Sequence, residues 1–243
     1  MKLHRFLRRC GLGSARTVDA AIRSGRVEVN GRSPHGPLMT IGEMDVVTLD
    51  GTPLVPSPPR YLILNKPAGT VCVDSDRLGR TCVVDLVPGG REMGLFPAGR
   101  LDLDTTGLIL LTNDGDMERL ATDPRFGTVK EYVATVDPLF EESDRLAMER
   151  GVELEDGTRV DGIRASITGR SLQGTEVVVS LTSGKRHVVK RAFRSLGFNV
   201  VKLHRSAIGS IRRDGLPEGA FREMDGPTLA ASLSLADGMY NNG

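Results

Sequence analysis

The stretch that decides the fold runs from residue 99 to residue 115 and reads Gly-Arg-Leu-Asp-Leu-Asp-Thr-Thr-Gly-Leu-Ile-Leu-Leu-Thr-Asn-Asp-Gly. A loop that carries Arg100, Asp102 and Asp104 leads into an apolar strand, Leu108 to Leu111, and the strand ends at a turn over residues 113–115. Charged side chains at the mouth of a buried strand are costly unless they are solvated, paired or used in chemistry. The stretch therefore predicts either a charged turn in which Arg100 neutralises one aspartate, or a reactive site.

The composition is that of an ordinary globular protein. The chain has 243 residues, of which 39% are hydrophobic and 26% are charged, so it can bury a sizeable core. No apolar run approaches the roughly 18 residues of a membrane-spanning helix, and arginines occupy the place where a signal peptide would be apolar. The cysteines Cys10, Cys72 and Cys82 show no C-x-x-C spacing, which argues against a disulfide framework and a zinc site. We expect a cytoplasmic monomer without membrane contact.

Positive charge is concentrated at the N-terminus, although the net charge of the whole chain is only +1. Within residues 1–32 only Asp19 and Glu28 oppose the basic side chains, which leaves that segment strongly positive. The basic residues are Lys2, Arg5, Arg8, Arg9, Arg16, Arg23, Arg26 and Arg32. Such a patch indicates either a polyanionic partner, most commonly nucleic acid, or a solvated helix face.

The first 50 residues predict two short helices and a hairpin. In residues 2–10 the apolar side chains of Leu3, Phe6, Leu7 and Cys10 recur with helical spacing, opposite the basic ones. Ser14 is a suitable N-cap for a second helix, whose inner face would carry Val18, Ala21 and Ile22. A strand over residues 27–29, the Asn30-Gly31 turn and a strand over residues 44–49 then form the hairpin.

A proline-rich linker separates this region from the rest of the chain. Four prolines lie within residues 53–59, and they predict an extended segment with a domain boundary near residue 58. Beyond it, strands are predicted over residues 60–64, 108–111, 131–136, 163–167 and 176–181. Helices are predicted over residues 115–121, 141–149 and 188–196. The pattern indicates an α+β fold with a mixed, mainly antiparallel sheet and flanking helices. From about residue 226 the chain is small and polar, and we expect a flexible tail.

Each of the two regions resembles a known protein family. The basic helices and hairpin, with Ser-Gly-Arg-Val-x-Val-Asn-Gly at residues 24–31, resemble a small S4-like αL RNA-binding domain, which would span residues 1–57 with the linker at its end. Residues 60–224, within a domain over 58–243, resemble the pseudouridine synthases that modify 16S or 23S ribosomal RNA. The matching motifs are Asn65-Lys66-Pro67-x-Gly69, residues 99–115, Lys130-x-Tyr132, residues 184–193, Leu203-His204-Arg205 with Ile208-Gly209, and Gly219 with Arg222.

The resemblance implies roles for particular residues. Asp102 matches the essential aspartate, which takes part in cleaving the N-glycosidic bond of a uridine before the base is rejoined through carbon 5. Whether it adds covalently or abstracts a proton stays open. Lys190 matches the basic partner that keeps this carboxylate ionised, and Arg100 belongs to the same motif. Tyr132 matches the tyrosine that stacks on the base, and Leu203 the apolar residue that closes the other side.

The resemblance also implies an RNA partner and a reaction without cofactor or metal. The chain accordingly has neither metal-ligand spacing nor a glycine-rich phosphate loop. The uridine would be flipped out of the folded RNA, and an S4-like domain would supply phosphate contacts through the arginines on its helices, namely Arg5, Arg9, Arg16 and Arg23. The sequence departs from the family at Val188, where a glutamine is usual.

Two alternatives compete with this interpretation. Asp102-x-Asp104-x-Thr106 also fits the D-x-D-x-T motif of magnesium-dependent phosphotransferases, but in that class the aspartates follow a buried parallel strand. Residues 94–100 hold a proline and glycines and make a poor strand of that kind. A non-catalytic RNA-binding or ribosome-assembly factor would also explain the basic N-terminus, but it leaves the Asp102 motif without a purpose.

Overall fold

The N-terminal region forms its own small core. In the computed structural model, which describes residues 1–13, 15–73, 76 and 78–234, helices α1 (Leu3–Arg9) and α2 (Ala15–Arg23) pack against a three-stranded antiparallel sheet of β1 (Val27–Val29), β2 (Val47–Leu49) and β3 (Thr52–Pro53). Leu3, Leu7 and Val18 are fully buried there, because helical spacing places them on one face of each helix. Both predicted helices are thus confirmed. The predicted N-cap, Ser14, lies outside the described residues.

The second predicted strand of the hairpin is shorter than expected. It begins at Val47 instead of Met44, because the Asp45 carboxylate accepts hydrogen bonds from the Gly42 amide at 2.7 Å and the Asn30 side chain at 2.8 Å. These bonds hold residues 42–45 in a turn. The Asn30-Gly31 reversal has both residues in the left-handed region, with φ of 53° and 70°, as predicted for such a pair.

A nine-stranded sheet forms the body of the remaining chain. Its strands are β4 (Tyr61–Lys66), β5 (Phe96–Ala98), β6 (Thr106–Thr112), β7 (Lys130–Asp137), β10 (Arg164–Ser171), β11 (Gly174–Leu181), β12 (Asn199–Ile208), β13 (Ile211–Arg212) and β14 (Phe221–Glu223). Seven run in the order β10-β11-β7-β12-β6-β4-β14, while β5 pairs with β6 and β13 with β12. Only the pairing of β12 with β6 is parallel among the described strands. The predicted mixed, mainly antiparallel sheet is confirmed. A separate hairpin joins β8 (Val152–Glu153) and β9 (Arg159–Val160).

Apolar side chains of the central strands alternate between two cores. Leu62 and Ile109 belong to the larger core, whereas their neighbours Ile63 and Leu108 belong to the smaller one, as the two-residue period of a strand requires. Helices α4 (Glu142–Glu149) and α5 (Val188–Ser195) contribute to the larger core. Helices α3 (Gly115–Thr122) and α6 (Gly226–Ser234) contribute to the smaller one. The sheet is therefore covered on both faces, which explains why its central strands read as continuous apolar runs.

Helix α6 corrects the expectation of a flexible tail from residue 226. Leu229 and Leu233 are fully buried against the smaller core, and the Asp225 carboxylate accepts the Thr228 amide at 2.9 Å to begin the helix. Two leucines spaced by four residues suffice to fix one helical face, although the residues between them are small. The expectation was wrong for residues 226–234, because it relied on the small and polar composition of the segment and not on the helical spacing of its leucines. Residues 235–243 lie outside the described part.

Strand β12 is the longest strand of the sheet and was not predicted. Leu203, Arg205 and Ala207 alternate as buried positions, but the charged Arg205 obscures the apolar alternation that marks a strand. Arg205 is accommodated because its Nε donates to the Leu108 carbonyl at 2.6 Å. The strand lies between β7 and β6 and so connects the two halves of the sheet.

Helix α1 contacts the body of the chain directly. Arg5 pairs with Asp116 at 2.6 Å, and the Arg8 guanidinium lies 3.5 Å from the centre of the Phe96 ring. At Gly94 a Cβ atom would stand 2.1 Å from the Arg8 carbonyl, so the approach requires a glycine. These contacts join the two sides of the predicted boundary near residue 58. In the described residues no helix is both long and apolar enough to cross a bilayer.

Candidate active site

The loop between β5 and β6 is held by a buried lysine. Lys66, at the end of β4, is fully buried and its ammonium donates to the carbonyls of Pro67 at 2.8 Å and Thr105 at 2.9 Å. Burial lowers the pKa of this lysine below its ordinary value, because the charged form loses its hydration. Lys66 therefore holds the backbone of the loop that carries Asp102 and Asp104. This is a structural role for the lysine of the Asn-Lys-Pro motif.

The end of this loop requires a glycine. Gly107 has φ of 106°, and a Cβ atom there would lie 2.3 Å from the carbonyl oxygen of Arg205. The close approach allows β6 to run parallel to β12, with Thr106 opposite His204 and Gly107 opposite Arg205. The loop is thereby placed directly beside β12.

Asp102 faces two basic side chains from the beginning of α5. Its Oδ1 lies 3.2 Å from His187 Nε2 and its Oδ2 lies 3.6 Å from Lys190 Nζ. The side chain is 23% exposed, so it is partly withdrawn from water but remains reachable. The family resemblance implies that Lys190 is the partner of Asp102. The structure places the two side chains next to each other, although they are 88 residues apart in the sequence.

Lys190 makes its hydrogen bonds to the second aspartate. Its ammonium donates to the two carboxylate oxygens of Asp104 at 2.6 and 2.8 Å, which is closer than its approach to Asp102. This bond holds the pKa of the Asp104 carboxyl below its usual range. One ammonium thus contacts two carboxylates, and Asp104 is a member of the site that the motif roles had not included.

The sequence motifs assign no role to His187, yet it is the nearest basic group to Asp102. It stands immediately before α5 with φ of 52°, a left-handed conformation that costs a residue with a side chain about 1 to 3 kcal/mol. Strain of this kind persists where surrounding structure imposes it, and it commonly marks a functional position. The only sequence signal was its place three residues before Lys190.

Three further residues singled out in the sequence surround Asp102. Tyr132 on β7 and Leu203 on β12 are buried and line the same pocket as Asp102, Lys190 and Arg100. We call it the Asp102 pocket. Within the described residues Arg100 makes no ion pair with either aspartate, and it is exposed. The alternative in which Arg100 neutralises an aspartate therefore does not describe this loop.

The arginines singled out on the N-terminal helices fall into two groups. On α1, Arg5 is paired with Asp116, and the Arg9 guanidinium donates to the Ser57 carbonyl at 2.6 and 2.9 Å. On α2, Arg16 and Arg23 are exposed to solvent. Within the described residues, the first group is therefore paired, whereas the second forms no ion pair.

The D-x-D-x-T pattern has a different setting from that of the phosphotransferases. The strand before it, β5, is three residues long and antiparallel to its neighbour, and both carboxylates face the Lys190 ammonium. Val188, which occupies the position of the usual glutamine, is buried in the larger core. Its side chain supports the beginning of α5 through packing.

Known proteins share this architecture. Residues 60–195 match the family model described as RNA pseudouridylate synthase, which is more than half of the chain. The chain is 37% identical to the ribosomal small subunit pseudouridine synthase A of Vibrio vulnificus (strain CMCP6), over 91% of this chain and 95% of that one. It is 29% identical to the ribosomal large subunit pseudouridine synthase B of Bacillus subtilis (strain 168), over 97% of each.

A solved structure agrees with these matches. A crystal structure of a pseudouridylate synthase superimposes with a TM-score of 0.68 and 28% identity, covering 96% of this chain and 99% of that chain. The chain belongs to the RNA pseudouridylate synthase family. It is therefore an enzyme of this class, and the predicted fold class and enzymatic class are confirmed.

Proposed function

We propose that this protein converts a specific uridine of ribosomal RNA into pseudouridine, with Asp102 as its essential carboxylate. The observation that carries the proposal is the convergence of Asp102, Lys190 and His187 in a pocket lined by one tyrosine and one leucine. The two relatives described above act on the small and the large ribosomal subunit respectively, so their names support ribosomal RNA and leave the subunit open.

The isomerisation needs no external reactant. The bond between ribose C1′ and uracil N1 breaks, C1′ is rejoined to C5, the C5 proton leaves and N1 gains a proton, so that atoms balance within one nucleotide. Asp102 acts either by adding covalently to the nucleotide or by abstracting a proton. Both roles require an ionised carboxylate, and Lys190 and His187 supply positive or hydrogen-bonding partners for it. The reaction as proposed uses no cofactor and no metal.

The flanking side chains would hold the flipped base. Tyr132 stacks against one face of the uracil and Leu203 closes the other, and base stacking on an aromatic side chain contributes about 1 to 3 kcal/mol. This offsets the few kcal/mol that unstacking a base from folded RNA costs. Arg100, exposed at the rim of the same pocket, would contact the RNA that surrounds the extruded nucleotide.

Residues 1–57 act in this proposal as an S4-like RNA-binding domain, and residues 58–243 as the catalytic domain of a monomer. The support is a separate core in the N-terminal region and a basic surface on α2. Arg16 and Arg23 are the phosphate-binding residues on that surface. Arg5 and Arg9, which bind within the chain, reach RNA only if those bonds are exchanged.

Mapping pseudouridines in ribosomal RNA tests the proposal. RNA from cells with the gene, without it, and with the Asp102→Asn variant is compared position by position. We expect one site to be lost on deletion and restored by the wild-type gene alone. Identical maps in all three strains, together with retained RNA binding, would support a non-catalytic assembly factor instead.

A further inference from the structure

A second cavity adjoins the Asp102 pocket and has a cationic lining. Its volume is about 100 Å³, and it shares Arg100, Tyr132 and Lys185 with the Asp102 pocket. Lys130 at the start of β7 and Arg205 on β12 form its inner wall. We call it the cationic cavity. Among the described residues that line it, four are basic and none is acidic.

The two inner cations are buried and poorly satisfied. Lys130 is 6% exposed, and the hydrogen bond recorded for its ammonium is a long one, 3.4 Å to the Thr182 carbonyl. Arg205 is 4% exposed, and although its Nε binds Leu108, its buried Nη2 finds no hydrogen-bond acceptor in the described part of the chain. A guanidinium can donate five hydrogen bonds, so donors remain for a ligand.

Such an arrangement is unfavourable without an anion. Burial, together with the positive charge of Arg205, lowers the pKa of Lys130 to about 8. Buried charges are normally paired with an opposite charge. A buried donor without an acceptor destabilises the fold, because it has lost its hydrogen bonds to water and gained none in return. The groups that face Lys130 from the neighbouring strand and loops are Arg205, Arg100 and Lys185, all of them cationic.

We propose that the cationic cavity binds a backbone phosphate of the RNA, the one next to the uridine in the Asp102 pocket. The proposal rests on the function proposed above for that pocket. Charge and hydrogen-bond donors of Lys130 and Arg205 match a phosphate, which carries negative charge and several acceptor oxygens. Because the two cavities share Arg100 and Tyr132 in their lining, such a phosphate would adjoin the pocket that holds the reacting base.

A groove continues from the cavity toward the N-terminal region. It shares Gly99, Arg100 and Thr122 with the cationic cavity and extends to Arg8 on α1 and to Phe96. A strand whose phosphate sits in the cavity can therefore leave along this groove toward α1, where Arg8 pairs with Glu118 at 3.7 Å. The three spaces form one connected route from Asp102 to α1.

Inorganic phosphate is the first probe. In full-length protein with labelled lysines, NMR follows the titration midpoint of Lys130, which is assigned by its absence in Lys130→Arg. An anion beside the ammonium favours its charged form, so we expect the midpoint to rise from about 8 toward the ordinary value of 10.5 when phosphate is added. A midpoint that does not respond to phosphate contradicts an anion site.

Ribosomal RNA transcripts are the second probe, and they separate RNA phosphate from free phosphate. Lys130→Met should make the slope of log affinity against log salt shallower by about 0.7, the contribution of one contact on a single strand. Lys130→Arg should keep the wild-type slope. Lys202→Met, which removes an equal charge from an exposed position of β12, is the matched control and should change the slope less.

The outcomes are distinct. A phosphate response with equal slopes for Lys130→Met and Lys202→Met means that the cavity is a free-phosphate site, and the RNA assignment is overturned. A selective slope change in a protein that forms no pseudouridine leaves the cavity as a phosphate site and overturns the proposed function alone.

Discussion

Charge is concentrated in two regions of this molecule, and it is arranged differently in each. At the Asp102 pocket, three ion pairs of 2.6 to 3.6 Å join Asp102 to His187 and to Lys190, and Lys190 to Asp104. On helix α2, Arg16 and Arg23 are exposed to solvent, and neither forms an ion pair within the described part of the chain. Charge that is balanced at short range can hold a reactive group in one protonation state, whereas unbalanced exposed charge attracts a polyanion.

Helix α1 combines features of both regions. It shows that the number of basic residues in a segment does not reveal how many of them are available to a polyanion. Its arginines belong to the same basic segment as those of α2, but Arg5 and Arg9 are bound to Asp116 and to the Ser57 carbonyl. Of the four arginines that the resemblance assigns to RNA, Arg5 therefore holds the two regions of the chain together and Arg9 binds the linker. The comparison predicts that chemistry and RNA binding can be impaired separately.

The largest expected effect is the loss of turnover in Asp102→Asn. The amide keeps the shape of the side chain but can neither attack nor accept a proton, so we expect a loss of at least about 10³-fold in the rate of pseudouridine formation. RNA binding should stay within a few-fold of wild type, because it depends on the other region. Single-turnover assays and filter binding measure the two quantities, and substantial turnover would remove Asp102 from its proposed role.

Lys190→Met should reduce turnover by about 10²-fold, as removal of a charge partner in a reaction site does. Without the ammonium, the Asp104 carboxyl loses the bond that lowers its pKa, and the pH–rate profile of the variant is measured to follow this change. Lys190→Arg is the control that keeps the charge. A normal rate with an unchanged profile would show that the pocket does not need this lysine.

Asp104→Asn should have a much smaller effect, below about fivefold in turnover. Asp104 is largely exposed, and exposed ion pairs contribute at most about 1 kcal/mol. Its loss also leaves the Lys190 ammonium free to approach Asp102. If Asp104→Asn were as inactive as Asp102→Asn, the two carboxylates would be equivalent and the assignment of one reacting aspartate would be wrong.

The smallest expected effect concerns binding alone. Replacing Arg16 and Arg23 with glutamine should make the salt slope of RNA affinity shallower by about 1.4 to 1.8, because two phosphate contacts are lost. The maximal rate on saturating RNA should not change. Arg5→Gln with Arg9→Gln is the matched pair on α1, and we expect it to alter the slope by less than half as much. Equal slopes for both pairs of variants would contradict the proposal that α2, and not α1, contacts the RNA phosphates.

The helices and strands could largely be predicted from local sequence patterns. The site could be predicted only in part, because its contacts join residues that are far apart in the sequence. Leu108 to Leu111 indicates a strand because the signal lies in adjacent residues, and the motif match placed Asp102 and Lys190 in one site. No local pattern shows that Lys190 prefers Asp104, that His187 turns toward Asp102, or that Arg5 reaches Asp116, because these contacts depend on tertiary geometry. Strand β12 was missed since a buried arginine breaks its pattern, and α6 since two leucines were outweighed by small residues.

The parallel pairing of β12 with β6 has a consequence for how the cleft can move. It consists of two residue pairs, against eight between β12 and β7 and six between β4 and β6. Asp102 belongs to the half of the sheet that contains β6, whereas Lys190, His187, Tyr132 and Leu203 belong to the other half. Along the order β10-β11-β7-β12-β6-β4-β14, the shortest ladder is thus a seam through the reaction site. Amide protons along it should exchange faster than those of the neighbouring ladders, and any widening of the seam would separate the acid from its bases before the rest of the fold is disturbed.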